Sequence, residues 1–313
     1  MMDKKRVVGI DAGGTKTEFL LCSGEGVVYK RTFRGTGNPN DIGVEACIDM
    51  LSEGISALCG SEAPDAVFAG ISGAGSGDNA KRIKEALCTA YPSSVVEVCT
   101  DAANLLASGK SDGDSAVLIC GTGTALFVQK SGEMHRIGGW GNLFDRGGSA
   151  YDLGRDAIRA TLAAEEKLIP DGELCRCVRE KLGAEAHTAL ADIYKNGKAY
   201  IASFARKAVE CAENGDPAAV EIIDESISAL CKRVAKAKEL YGDCPELICG
   251  GGLFNSKYFF SRLEKALEEQ GVSLYIPEHP QVFGACVRAA KLVGSIDKMS
   301  FFENFGISMT ETV

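Results

Sequence analysis

The hydrophobic pattern of the chain predicts one strand arrangement that occurs twice, over residues 7–21 and again over 116–128. In each copy an apolar run leads into a turn of glycine and threonine, and a second β-rich run follows, which is typical of a hairpin. A further turn comes after each copy, so we expect a third strand there. Two copies predict two related domains, each opening with a three-stranded meander.

Helices and strands alternate after both meanders. The apolar spacing in the first half predicts a helix over 41–58, a strand over 66–71, a helix over 78–90, a strand over 95–99 and a helix over 102–107. The second half predicts a helical region over about 150–240 with breaks near Pro170 and Gly197, a strand over 247–249, a helix reaching 269, a strand over 273–276 and a helix over 280–292. This order predicts mixed sheets with helices on their faces.

A stretch rich in glycine, serine and aspartate lies between Gly109 and Asp114 and is typical of a connector. We therefore predict an N-terminal domain over 1–110 and a C-terminal domain over 111–313. The tail over 295–313 has an ambiguous pattern. Whether it packs back on the N-terminal domain stays open.

Composition narrows the class of protein. The chain has 313 residues, 45% of them hydrophobic, and a formal net charge of −9. This excess of acid disfavours a nucleic acid or an anionic membrane as partner, and the apolar runs are too short to span a membrane. The N-terminus leads into a strand rather than a signal-peptide core. The 13 cysteines are scattered, as reduced thiols are, so we expect a cytoplasmic protein.

The two Gly/Thr turns resemble known phosphate loops only in part. A Walker loop has lysine directly after its last glycine and opens a helix, whereas here Thr15 precedes Lys16 and a strand follows. The pair Gly121 and Gly123 lacks the third glycine of a dinucleotide loop. What remains is a hairpin tip that offers backbone N–H groups and threonine hydroxyls to an anion. Asp11, at the first strand end, is a candidate Mg²⁺ anchor.

Two further strand ends carry candidate chemistry. Asp101 lies where a strand ends and a helix begins, so it is either a base that takes a proton from a hydroxyl or a helix cap. The loop from Ser72 to Gly77 lacks the final glycine of a nucleophile elbow. We interpret that loop as backbone lining a site or as a simple turn.

Six short motifs occur in this order: Asp11-Ala-Gly-Gly-Thr-Lys-Thr, Thr100-Asp101-Ala-Ala, Gly121-Thr-Gly-Thr, Gly138-Gly-Trp-Gly, Gly148-Ser-Ala-Tyr and Gly250-Gly-Gly. Together they resemble the acetate and sugar kinase/Hsc70/actin superfamily and, within it, the N-acetylglucosamine kinase-like family that shares the BadF/BadG/BcrA/BcrD ATPase domain. The resemblance covers nearly the whole chain. It implies an α/β fold of two ribonuclease-H-like (actin-like ATPase) domains, with mixed sheets flanked by helices and an ATP cleft between them.

The resemblance also implies roles for particular residues. Asp11 matches the Mg²⁺-associated acid, and Asp101 matches the catalytic base beside the sugar. The ATP-binding residues would be Gly13, Gly14, Thr15, Lys16, Thr17, Gly121, Thr122, Gly123, Thr124, Gly250, Gly251, Gly252 and Asn255. The remaining sugar-binding residues would be Asn38, Ser72, Gly73, Gly139, Trp140, Asp145 and Arg146.

One segment departs from the family pattern. Where the family reads Gly-Asp-Glu-Gly-Ser, with the aspartate holding the sugar, this chain has Arg146 in the aspartate position and Asp145 one residue earlier. Either Asp145 substitutes after a local shift or the substrate differs. Arg146 would favour a sugar that carries a carboxylate, unless it is a solvated loop residue.

The leading hypothesis is an ATP- and Mg²⁺-dependent kinase that phosphorylates a hydroxyl of an amino sugar or a related hexose. Its partner would be the sugar alone, as a monomer or a homodimer. One alternative is an ATPase that activates a partner reductase or dehydratase through an iron–sulfur cluster, for which Cys175 and Cys177 are the tight cysteine pair. Another is a non-catalytic sugar-binding protein.

Overall fold

The structure is a computed structural model that describes residues 5–109, 113–243 and 246–311. The chain divides into two compact units. The first comprises the chain up to residue 112 and again from residue 277, and the second comprises residues 113–276.

The first unit opens with the predicted meander. Its elements up to the boundary are β1 (Arg6–Ala12), β2 (Thr17–Ser23), β3 (Val28–Arg34), α1 (Pro39–Ile42), α2 (Val44–Cys59), β4 (Ala66–Ile71), α3 (Asn79–Ala90), β5 (Val95–Cys99) and α4 (Ala102–Ala107). The strand order is β3-β2-β1-β4-β5, with an antiparallel meander and with β4 and β5 parallel to β1. The helix expected over 41–58 is interrupted at Gly43, whose φ of 86° favours glycine.

The second unit repeats this arrangement. Its elements are β6 (Ser115–Cys120), β7 (Thr124–Lys130), β8 (Glu133–Ile137), α5 (Ala150–Glu165), α6 (Glu173–Leu182), α7 (Leu190–Ala202), α8 (Ala205–Glu213), α9 (Pro217–Tyr241), β9 (Glu246–Gly250), a 3₁₀ turn (Gly252–Asn255), α10 (Lys257–Glu268) and β10 (Ser273–Tyr275). The strand order is β10-β9-β6-β7-β8. Pro170 lies between α5 and α6, and Gly197 breaks α7, as predicted. The predicted α/β class, with two mixed five-stranded sheets flanked by helices, is confirmed.

The last two helices, α11 (Val282–Lys291) and α12 (Lys298–Glu311), belong to the first unit. The sequence assigned 111–313 to the second domain and left the tail open, so the boundary moves to residue 277. The reason is packing against the first sheet. A Cβ on Gly9 of β1 would lie 2.5 Å from the backbone nitrogen of Cys286 in α11. In α12, the Ser308 hydroxyl accepts a hydrogen bond from the backbone N–H of Val28 at 2.9 Å.

Each sheet buries side chains according to strand alternation. In β1, Val8 and Ile10 face the core shared with α2 and α3, whereas Val7 faces the core shared with α11 and α12. In the second unit, Leu118 and Val128 pack beneath α5–α10. Within the described residues, no helix is long and apolar enough to cross a membrane.

Candidate active site

Two acids lie at neighbouring strand ends of the first unit. Asp11 is level with Gly70 of β4, and Gly70 is level with Cys99, the last residue of β5. Asp101 follows two residues later and caps α4. Because ligands bind at the carboxyl ends of parallel strands in α/β sheets, this edge is the expected place for chemistry.

Asp11 is held by a single side-chain hydrogen bond from Asn104, whose Nδ2 donates to Asp11 Oδ1 at 2.7 Å. Burial raises the pKa of Asp11 to about 7, the Asn104 bond lowers it, and the charge of Asp101 raises it. A carboxylate in this position gains from a nearby cation. Within the described ranges, no three His, Cys, Asp or Glu side chains group as metal ligands. A lone carboxylate such as Asp11 fits Mg²⁺, because Mg²⁺ is commonly bound by one or two carboxylates, waters and substrate phosphates.

Asp101 has one oxygen fixed by its own helix end. Asp101 Oδ1 accepts hydrogen bonds from Thr100 Oγ1 at 2.9 Å and from the backbone N–H of Ala102 at 3.0 Å. Burial raises the pKa of Asp101, although bonds from Thr100, Ala102 and Ser72 lower it. A carboxyl with a raised pKa is better matched to proton transfer near neutral pH than an exposed aspartate.

Three predicted sugar residues lie beside this acid. The backbone N–H of Ser72 donates to Ala12 O at 2.8 Å, and the Ser72 side chain lowers the pKa of Asp101. Gly73 has a φ of 83°, and a Cβ there would lie 2.1 Å from Asn38 Oδ1. The structure thus brings Asn38, Ser72, Gly73 and Asp101 together within the first unit.

The tip of the first hairpin is an open turn. Gly14, Thr15 and Lys16 are exposed, and the backbone N–H of Gly13 donates to Lys16 O at 2.9 Å. Lys16 Nζ lies 5.4 Å from the centre of the Phe33 ring. The exposed tip leaves backbone and side-chain donors available to an anion.

Thr17 does not face this opening. It is fully buried, and its hydroxyl donates to Gly35 O at 3.0 Å. This hydrogen bond holds the loop after β3 against the first hairpin. Thr17 therefore stabilises the hairpin and is not available to contact a nucleotide.

The second hairpin has a similar tip. Thr122 and Gly123 are exposed, whereas Thr124 is buried. Gly121 O accepts a bond from the backbone N–H of Ala150 at 2.8 Å, which ties the tip to the start of α5. Gly251 has a φ of 105°, and a Cβ there would lie 2.5 Å from Cys120 O.

A cavity of about 790 Å³ opens beside this second hairpin. It is lined by Gly121 and Thr122, by Gly252 and Asn255, and by side chains of α7 and α8. The α7–α8 wall consists of Ala199, Ala202, Ser203, Ala205, Arg206, Val209, Glu210 and Glu213. A cavity of this size with a mostly small-residue wall and a few charged groups is suited to a small-molecule ligand such as a nucleoside. Gly250, the last residue of β9, is buried and does not line the cavity.

Trp140 projects from the loop after β8. It is 63% exposed, and the Arg136 guanidinium lies 4.4 Å from its ring centre. Gly139 has a φ of 80°, and a Cβ there would lie 2.7 Å from the Ala125 side chain. The loop therefore packs closely against β7, and the indole ring of Trp140 is exposed to solvent.

Asp145 and Arg146 have different surroundings. Asp145 accepts bonds from the backbone N–H of Gly141 at 3.0 Å and from Arg233 Nη2 at 3.4 Å. The Arg146 side chain is exposed, and its Nη2 lies 3.9 Å from the Glu225 carboxylate. Asp145 therefore folds the loop, and Arg146 presents its guanidinium outward.

Several residues of the site have no sequence signal that reveals their contacts. Asn104 directly follows the Thr100-Asp101-Ala-Ala motif, but nothing in the sequence shows that it reaches Asp11. Arg233 lies 88 positions after Asp145 and has no local signal. The α7–α8 wall of the cavity could have been suspected only from its run of alanines.

Known proteins match the chain in sequence and fold. It is 28% identical to N-acetylmuramic acid/N-acetylglucosamine kinase of Clostridium acetobutylicum, over 91% of this chain and 98% of that one. It is also 28% identical to N-acetyl-D-glucosamine kinase of Dictyostelium discoideum, over 58% of this chain and 61% of that one. A candidate N-acetylglucosamine kinase from Chromobacterium violaceum superposes with a TM-score of 0.71 at 21% identity, over 91% and 98%. A ROK family glucokinase from Streptomyces griseus gives a TM-score of 0.58 at 17% identity, over 92% and 98%.

These superpositions confirm that the fold is that of the sugar kinases. The model of the BadF/BadG/BcrA/BcrD ATPase family matches residues 8–289, nearly the whole chain. The chain therefore belongs to the BadF/BadG/BcrA/BcrD ATPase family.

Proposed function

We propose that this protein is an ATP-dependent sugar kinase that transfers the γ-phosphate of ATP to a hydroxyl group of an amino sugar or a related hexose. The observation that carries the proposal is the half-buried Asp101 carboxyl at the end of β5, which has a raised pKa and interacts electrostatically with Asp11. Phosphoryl transfer needs a base to receive the proton of the attacking hydroxyl and charge stabilisation beside the phosphate. Asp101 and Asp11 meet these two needs at one sheet edge.

Asp101 is the proposed base. Since Thr100 and Ala102 hold Oδ1, the other carboxylate oxygen is the one that accepts the hydroxyl proton. The neighbouring Asn38 and Ser72 side chains would orient the sugar hydroxyls. General-base help of this kind contributes roughly 10²- to 10⁴-fold to a rate.

The nucleoside is proposed to bind in the cavity of the second unit, and the tip of each hairpin is a candidate phosphate-binding turn. The exposed tips would donate hydrogen bonds to phosphate oxygens, and the cavity beside Gly252 and Asn255 would take the nucleoside. Asp11 would hold Mg²⁺. When bound, the ion would offset the negative charge of the phosphate oxygens.

The sugar is proposed to be an N-acetylated amino sugar, because the curated relatives named above carry such sugars in their names. Exposed Trp140 offers an apolar face on which a sugar ring stacks. Both oxygens of Asp145 have partners inside the protein, so we favour Arg146 as the group that faces the substrate. Its guanidinium would bind the carboxylate of N-acetylmuramic acid by charge-assisted hydrogen bonds.

The iron–sulfur alternative has weaker support. Cys175 is buried in the core, whereas Cys177 is half-buried on the same helix. Side chains two positions apart on a helix do not face each other, so this pair does not form a shared ligand edge. We further propose a cytoplasmic enzyme, where ATP is available and thiols stay reduced.

An ADP-release assay tests the proposal with glucose, glucosamine, N-acetylglucosamine, N-acetylmuramic acid and a blank without sugar. We expect strong stimulation by the two N-acetylated sugars. Arg146→Ala should raise the KM for N-acetylmuramic acid by roughly 10- to 100-fold, the size of a lost charged hydrogen bond. Its matched control is Arg159→Ala, an exposed arginine on α5. A blank as fast as the sugar reactions would favour the ATPase alternative instead, and an equal KM in Arg146→Ala would make Arg146 a solvated residue.

A further inference from the structure

A fully buried asparagine connects the two acids of the first unit. Asn104 lies in α4, three residues after Asp101, and is 0% exposed. Its Nδ2 is 2.7 Å from Asp11 Oδ1 and within 3.5 Å of the backbone oxygens of Ile10 and Gly70. The helix that presents the proposed base therefore also supplies the hydrogen bond that orients Asp11.

Two glycines make room for this asparagine. A Cβ on Gly70 would lie 2.1 Å from Asn104 Oδ1, and a Cβ on Gly284 would lie 1.7 Å from the Asn104 backbone oxygen. Neither glycine has a positive φ. The backbone conformation therefore does not require glycine at these positions. Glycine is required because a side chain there would collide with Asn104.

The arrangement is poor for stability alone. Asn104 Oδ1 is buried and has no hydrogen-bond partner. A buried amide oxygen without a partner costs free energy of folding, and an apolar side chain of similar size avoids that cost. What the amide supplies, and an apolar group cannot, is the N–H donor to Asp11.

We propose that Asn104 is a positioning residue that fixes the Asp11 carboxylate through Oδ1 and so directs the other oxygen toward the Mg²⁺ of the bound nucleotide. This inference rests on the proposed function. Residues that hydrogen-bond a metal-binding group set its orientation, and their loss costs about 10- to 100-fold in metal affinity or activity. No metal ligation by Asn104 itself is implied.

Asn104→Leu tests the inference because it removes the donor and the unpaired oxygen while keeping the branch at Cγ. The matched control is Ser108→Ala, which removes a buried hydrogen bond of the same helix, from Ser108 Oγ to Asn104 O at 3.0 Å, without touching Asp11. Thermal melting is measured with ADP alone in EDTA and with ADP plus Mg²⁺. Sugar-dependent ADP release is measured in parallel as a function of Mg²⁺.

In the wild type and Ser108→Ala, we expect Mg²⁺ to add a further stabilisation to that of ADP alone. In Asn104→Leu, the ADP shift in EDTA should remain while the Mg²⁺ increment disappears. The Mg²⁺ concentration for half-maximal activity should rise about 10- to 100-fold. An unchanged increment and unchanged Mg²⁺ requirement in Asn104→Leu would overturn the inference.

Gly70→Ala is the second variant, in case Asn104→Leu does not fold. Its methyl group would push the amide away from Asp11, so it should reproduce the loss of the Mg²⁺ increment. A full increment in Gly70→Ala would contradict the inference. A wild-type protein that shows the Mg²⁺ increment but no sugar-dependent ADP release would refute the proposed function while leaving the role of Asn104 testable by melting alone.

Discussion

The two units share one strand order but carry different chemistry at the same sheet positions. In the first unit Asp11 pairs with Gly70 across parallel strands, and in the second Ile119 pairs with Gly250. The position that holds a half-buried acid in one sheet holds an apolar residue in the other. Under the proposed function, this common scaffold carries the proton and metal chemistry in the first unit and the nucleoside site in the second.

The glycines that pair with these two positions, Gly70 and Gly250, differ in the same way. Gly70 leaves space for Asn104, which reaches Asp11. In the second unit, Gly250 leads into Gly251, which packs on the Cys120 peptide, and Gly252, which lines the cavity. In the first sheet, the missing side chain makes room for the residue that hydrogen-bonds an acid. In the second, glycines without side chains border a cavity.

The largest expected effect comes from removing the proposed base of the first unit, Asp101. Asp101→Asn should lower kcat by roughly 10²- to 10⁴-fold, because the hydroxyl proton loses its acceptor. Since burial raises the pKa of Asp101, wild-type kcat/KM should fall as the pH decreases through that raised value. Steady-state kinetics over pH check both points. Turnover at the wild-type rate in Asp101→Asn would remove this residue from the mechanism.

The ionised form of Asp11 should destabilise the nucleotide-free protein at neutral and basic pH. Its folded pKa of about 7 lies above the unfolded value of 3.8. The protonated form therefore contributes stability below about pH 4, and this stability is lost as the pH rises through 7. Asp11→Asn should stabilise the nucleotide-free protein by about 2–4 kcal/mol at pH 8 and by little at pH 4.

Chemical unfolding in EDTA at the two pH values measures this difference. Asp49→Asn, an exposed change on α2, is the matched control and should show no such pH dependence. Equal unfolding free energies for Asp11→Asn and wild type at pH 8 would contradict the buried-acid description of this site.

Filling the cavity should weaken the nucleotide and leave the acids unaffected. Ala199→Phe places a large ring on the exposed cavity wall, and a steric cost of about 1–3 kcal/mol would raise the KM for ATP roughly 5- to 150-fold. The pH dependence of kcat should stay as in wild type. Lys198→Phe, one residue away and outside the lining, serves as control. The division between units would be wrong if Ala199→Phe altered the pH profile but not the KM for ATP.

The smallest effect is expected at Phe33, over which Lys16 lies at 5.4 Å. A cation–π contact at an exposed site contributes about 0.5–1 kcal/mol, so Phe33→Leu should raise the KM for ATP roughly 2- to 5-fold. Tyr29→Leu changes another exposed aromatic residue of β3 and should have no effect. A KM for ATP that is equal in the two variants would show that the ring does not position Lys16.

Local pattern predicted much of the fold, and long-range contacts account for what was missed. The meanders follow from alternation in β1 and β6, and Asp101 was located because a strand end followed by a helix is visible in sequence. Helix α11 belongs to the first unit because its Cys286 packs against Gly9 of β1. These residues are 277 positions apart, and a contact at that separation leaves no local signal in the sequence. For the same reason the Arg233 contact with Asp145 and the Asn104 contact with Asp11 could not be predicted.

The most direct test of the division between units is the affinity of the Asp101→Asn protein for Mg²⁺·ADP, measured by calorimetry on the same sample used for a single-turnover transfer experiment. We predict a Kd for Mg²⁺·ADP within about twofold of wild type, with phosphate transfer to the sugar slowed at least about 100-fold. A loss of nucleotide affinity as large as the loss of transfer rate would contradict the claim that Asp101 acts on the hydroxyl and that the second unit binds the nucleoside.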